Sequence, residues 1–75
     1  MLLSQLKPGD SCLVERLLGD NILKQRMMTM GIVPGVKIII QKFAPLGDPI
    51  EIKVRSANLS LRKQEAQTVE VSLSS

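Results

Sequence analysis

The sequence predicts a mainly β fold, a small and highly bent barrel of about five short strands, with one α-helix after the first strand and a short helical turn before the last. Three observations carry that reading. Glycine and proline punctuate the chain at close intervals, at Pro8-Gly9, Gly19, Gly31, Pro34-Gly35, Pro45, Gly47 and Pro49, so no regular element can run long. Ile50 to Arg55 alternates apolar and charged residues without a break, which is the period of a half-buried strand. Ile22 to Met30 contains neither breaker and is followed directly by Gly31, a helix stop signal.

Taken in order, Leu6-Lys7-Pro8-Gly9-Asp10 fits a type II turn, with Pro presetting the second position and Gly supplying the positive φ of the third. Ser11 to Leu18 reads as a strand, with Cys12, Leu13, Val14 and Leu17 around Glu15 and Arg16 in imperfect alternation, ended by Gly19-Asp20-Asn21. Asp20 or Asn21 caps the helix that follows, Ile22 to Met30. At 100° per residue, Ile22, Met30, Leu23 and Met27 fall on one arc of about 140°, expected to face the core. Arg26 projects from within that arc, and Met28 sits on the polar side.

Ile32-Val33-Pro34-Gly35 is a second Pro-Gly turn, and Val36 to Phe43 is β-branched enough to be a central strand. Ala44 to Pro49 breaks it. After the alternating strand Ile50 to Arg55, Ser56-Ala57-Asn58 reads as a turn, Leu59 and Leu61 resume alternation, and Lys63 to Gln67 suits one helical turn. Thr68 to Leu73 forms the last strand on Val69, Val71 and Leu73, with Ser74 and Ser75 expected to fray.

At 75 residues the chain makes one domain, 1–75. A domain of this size buries only about 60 to 65% of its unfolded surface, which leaves few core positions for chemistry. Cys12 is the only cysteine and has no partner within the chain, so disulfides cannot supplement the core and a reducing compartment is expected. No stretch approaches the ~20 apolar residues of a membrane span, and the first residues lack the basic flank and apolar run of a signal peptide, so the expected location is the cytoplasm. The net charge of +3 is unevenly placed. Asn21 to Gly47 holds Lys24, Arg26, Lys37 and Lys42 without an acidic residue, and Lys53 to Lys63 holds Lys53, Arg55, Arg62 and Lys63. Such segments either form a solvated surface or favour an acidic partner, an anionic leaflet or nucleic acid.

The absent residues exclude whole classes of chemistry. Without histidine there is no imidazole ligation and no Ser/His or Cys/His nucleophilic pair, and the seven carboxylates are scattered rather than paired. No metal site, catalytic residue or cofactor is therefore expected, and an iron-carrying role finds no ligand set. Cys12, flanked by Leu13 and Val14 on a strand, reads as a small core residue. The five glycines are isolated, so no phosphate-cradling loop exists. Phe43 is the sole aromatic, which argues against nucleic-acid stacking and against a groove for proline-rich peptides.

The chain resembles the FeoA family in three motifs taken in order and spacing: Met30-Gly31-Ile32-Val33-Pro34-Gly35, then Ala44-Pro45-Leu46-Gly47-Asp48-Pro49, then Leu59-Ser60-Leu61-Arg62-Lys63. Leu6-Lys7-Pro8-Gly9-Asp10 matches as well. The resemblance implies an SH3-like barrel with a helix after the first strand. It also implies a non-enzymatic accessory role in ferrous iron uptake, by contact with FeoB, a membrane transporter carrying a cytoplasmic GTP-binding domain. Similar domains end metal-dependent repressors of the diphtheria toxin repressor type, but no helix-turn-helix lies in this sequence, so that role is not carried over.

For docking, the informative residues are those the fold does not need. Met28 on the polar helix side offers an adaptable contact, or is an isolated surface residue. Arg26 either presents its guanidinium to an anion or lays its stem along the core. Leu46 either anchors a partner from the tip of a loop or folds back over the barrel end. Asp48 is expected to make a local side-chain to backbone bond. Arg62 and Lys63 form a basic pair before the last strand, where a GTPase or an acidic loop could meet them. Two alternatives remain beside the adapter: a GTPase activator supplying Arg26 or Arg62 in trans, and a stand-alone basic nucleic-acid-binding barrel.

Overall fold

The computed structural model describes residues 1–74, and Ser75 lies outside them. Five antiparallel strands form one sheet in the order β4-β3-β2-β1-β5: β1 Ser11–Leu17, β2 Lys37–Phe43, β3 Ile50–Val54, β4 Ala57–Leu61 and β5 Val69–Ser74. Helix α1, Asn21–Thr29, follows β1, and a one-turn helix α2, Lys63–Ala66, precedes β5. The predicted number and order of elements hold, with ends moved by a residue or two. The sheet curls around a single core, built from inward residues at every second strand position: Cys12 and Val14, Ile38 and Ile40, Ile52 and Val54, Val69 and Val71.

The register explains the curl. The β1–β5 pairing slips between Val14 and Arg16, and the β2–β3 pairing slips between Ile40 and Lys42, so each long strand carries one extra residue opposite its partner. Such bulges sharpen the twist and let short strands wrap round a core. β2 occupies the middle of the sheet, as its β-branched composition predicts. Both Pro-Gly turns close, with the Asp10 amide donating to the Lys7 carbonyl at 3.0 Å and the Val36 amide to the Val33 carbonyl at 3.1 Å. Gly31 stands at φ +88° where α1 stops, and the amides of Gly31 and Ile32 donate to the carbonyls of Met28 and Met27, a left-handed helix stop that a side chain would strain.

Four details differ from the sequence expectation. Ile22, placed on the buried arc, is 82% exposed. The face of α1 that meets the core is the narrower stripe of Leu23, Met27 and Met30, about 60° wide, because a nine-residue helix docked on a strongly curved sheet touches it along one line only. The β3–β4 turn is Arg55-Ser56 rather than Ser56 to Asn58, since Val54 pairs directly with Ala57. Ser74 does not fray: it pairs with Ser11, whose hydroxyl donates to the Ser74 carbonyl at 3.1 Å. The first residues, whose pattern predicts no regular element, form a 3-10 turn at Leu3–Gln5 that buries Leu3 completely. Met1 exchanges backbone hydrogen bonds with Val71, which covers part of the outer edge of β5.

Candidate functional site

At one end of the β2–β3 hairpin, the loop of residues 44–49 meets α2, and α2 in turn meets α1. Two carboxylates join the three segments. Asp48 Oδ1 accepts a hydrogen bond from the Lys63 amide at 3.0 Å, tying the loop to the first turn of α2. The expected local bond of Asp48 is therefore corrected to a contact fifteen residues along the chain. The free amides at the start of α2 draw it there, because a helix N-terminus presents unsatisfied donors to any nearby acceptor.

The second carboxylate, Glu65, is 8% exposed, and sequence reasoning did not single it out. Its Oε1 accepts from the Arg62 amide at 3.0 Å, closing α2 back on its own start, while Oε2 meets Arg26 Nε of α1 at 3.1 Å. Burial of a lone carboxylate would be costly, and these two partners offset that cost. The signal in the sequence was a Glu three residues after the N-cap position Arg62, the second half of a capping box. It was hidden because Arg62, rather than Ser, Thr, Asp or Asn, holds the first half.

This arrangement decides how the candidate residues lie. Arg26 keeps over half of its side chain in solvent, yet its Nε is occupied by Glu65, so it serves first as a tie between helices. Arg62 and Lys63 have exposed side chains on backbone amides that Glu65 and Asp48 hold in place. Leu46 is 96% exposed, the most outward large apolar side chain among the described residues, and does not fold back over the barrel end. Its loop is closed by the Ala44 amide on the Pro49 carbonyl and the Gly47 amide on the Ala44 carbonyl, at 3.0 and 2.7 Å. Exposed Ile22 precedes Arg26 by one helical turn and so lies on the same face of α1.

Met28 does not join this group. It is 47% exposed, but about 160° around α1 from Arg26. Cys12 is fully buried, and burial, opposed in part by a backbone hydrogen bond at Ile38, pushes its thiol up to about 11. A thiol held neutral is a poor nucleophile and a poor ligand. Among the described residues no three His, Cys, Asp or Glu side chains come together as a metal-binding group, and no buried side-chain polar atom lacks a partner. Among the described residues no helix is long and apolar enough to cross a membrane.

Comparison with known proteins gives this geometry a context. A fusion of Fe(2+) transport protein A with the Fe(2+) transporter FeoB, from Porphyromonas gingivalis, is 37% identical over 73 residues, which is 97% of this chain but only 9% of the fusion. The solution structure of iron(II) transport protein A from Clostridium thermocellum shares 44% identity at a TM-score of 0.92, covering 97% of this chain and 45% of that one. A zinc-complexed FeoA from Stenotrophomonas maltophilia, described as an SH3 domain protein for which a role as ferrous iron transport activating factor has been suggested, shares 28% identity at a TM-score of 0.84, over 96% of this chain and 89% of that one. The curled five-stranded sheet is thus an SH3-like fold. A family model for the FeoA domain matches residues 1–73, nearly the whole sequence, and on that match the chain belongs to the FeoA family.

Proposed function

We propose that this protein is a cytoplasmic, non-enzymatic adapter that regulates a FeoB-type ferrous iron transporter by docking on it. The observation that carries the reading is the end of the molecule just described, where Leu46 and Ile22 stand almost wholly in solvent on segments that Asp48 and Glu65 fasten to one frame. Exposed aliphatic side chains on a fixed frame lose little entropy on binding, which is what a contact surface needs. A homologue carrying this domain and FeoB in one polypeptide supports the choice of partner.

In cells lacking the native protein, the wild-type chain is expected to restore ferrous iron uptake, whereas Leu46→Asp and Ile22→Asp are not, although both remain folded. Full restoration by both variants would remove this surface from the mechanism. The reading as a GTPase activator passes from Arg26, whose Nε is engaged, to Arg62, whose side chain is exposed and in no ion pair among the described residues. An arginine acting in trans accelerates hydrolysis by roughly 10³ to 10⁵ fold, so Arg62→Ala decides that reading by GTP turnover alone.

A further inference from the structure

The opposite end of the same hairpin carries a second surface. Lys37, Lys53 and Arg55 surround Ile39 in a shallow depression on the outer face of β2 and β3. Ile39 and Lys53 are direct cross-strand partners, Lys37 precedes Ile39 by two positions and so shares its face, and Arg55 begins the turn that follows Val54. The three cations are exposed and Ile39 is half-buried. Among the described residues, the ion pairs are Arg16–Glu70, Arg26–Glu65 and Lys42–Glu51, so none of the three cations has a carboxylate partner. Their neighbours across the strands supply none either: Lys53 faces Asn58, Ile39 faces Ser11, and Lys37 faces Leu13.

Arg55 adds an independent observation. It is the one described residue other than glycine with positive φ, at 59°, as the first of two residues joining β3 to β4. Two-residue hairpins demand positive φ there, and Gly, Asn or Asp meets the demand with least strain. An arginine at this position is unfavourable for the turn and adds a third positive charge beside two lysines. No ion pair among the described residues offsets that strain. The same choice is favourable if the depression receives an anion.

We propose that this depression docks an acidic peptide segment of a partner protein, with carboxylates on Lys37, Lys53 and Arg55 and one aliphatic side chain seated on Ile39. The apolar floor favours a peptide over a free phosphate, and the absence of stacking aromatics in the depression disfavours single-stranded nucleic acid. Phe43–Ile50 closes the hairpin at the loop end and Ile38–Val54 lies at this end, four β3 residues and so about 13 Å away, which leaves room for both surfaces to be occupied together. The proposal does not depend on the transporter reading, and each stands or falls separately.

The test is fluorescence anisotropy with a fluorescein-labelled peptide of glutamates around a single leucine. Saturable binding is expected, weakening as salt rises and falling roughly tenfold or more in the double variant Lys37→Glu with Lys53→Glu. Lys7→Glu, a charge reversal elsewhere, is expected to leave it unchanged. Ile39→Thr is expected to weaken it several-fold. Arg55→Gly separates function from folding, because it is expected to weaken binding while the thermal midpoint stays level or rises. No saturable binding, equal binding by the double variant, equal affinity for a glutamate peptide without leucine, or preference for phosphatidylserine vesicles or oligothymidine would each overturn the proposal.

Discussion

Glu65 is where the most structure depends on one side chain, since it caps α2 and ties α2 to α1 at once. Glu65→Ala is expected to cost roughly 2 kcal/mol, the sum of a lost cap and a lost part-buried ion pair. That corresponds to a drop of about 10 °C in thermal midpoint for a domain of this size. Glu65→Gln keeps an acceptor for the Arg62 amide and is expected to cost about half as much, close to Arg26→Ala, whose exposed guanidinium limits what its removal can do. If Gln were as damaging as Ala, the ion pair rather than the cap would be the main contribution. Cys12 gives a pH signature. Its thiol titrates at about 11 when folded against an ordinary value of 9.0, so its contribution is complete below pH 9 and is lost as pH rises through 11. Denaturant unfolding across that window is expected to show a loss of order 2 to 3 kcal/mol in the native protein that is absent from Cys12→Ala. At this scale the sequence was half legible. A lone cysteine between aliphatic residues announced its burial, whereas Glu65 looked like any charged residue near a helix start, because its partners come from another element.

Among the elements, the strands and the Pro-Gly turns were read well because their signals are local: alternation in β3, Pro-Gly before β1 and β2, Gly31 behind α1; the β3–β4 turn, which has neither Gly nor Pro, was misplaced. Helix orientation was read less well. Ile22 and Leu23 are adjacent apolar residues at the start of α1, and which of them faces the core depends on the curvature of a sheet that the helix pattern does not contain. Arg26 inside the apolar arc was a usable warning, since it lies one turn after Ile22 and reaches outward to Glu65. The loop of residues 44–49 behaves as an element in its own right through Asp48. Asp48→Ala is expected to speed hydrogen exchange at the Lys63 amide by several-fold while the amides of α1 keep their protection, at a stability cost of about 1 kcal/mol. Unchanged exchange at Lys63 would mean that the loop and α2 are held together by packing alone.

At the level of the whole molecule, a bulged five-stranded sheet fills its interior with aliphatic side chains and leaves its chemistry on the outside. The candidates that sequence reasoning chose by elimination divide accordingly. Leu46, Arg62, Lys63 and Arg26 lie on segments fastened at one end, Met28 lies apart, and Ile22 joins the group only once the helix is seen in place. The central claim is that this end is a docking surface. Its most direct measurement is calorimetric titration of the purified protein into the cytoplasmic domain of a FeoB transporter, with and without GTP, using the wild type, Leu46→Asp, Ile22→Asp and Met28→Asp. The expected result is binding that depends on nucleotide, is weakened tenfold or more by Leu46→Asp and Ile22→Asp, and is little changed by Met28→Asp, with all four proteins equally folded. Binding of equal strength in all four, or no binding in either nucleotide state, would contradict the account.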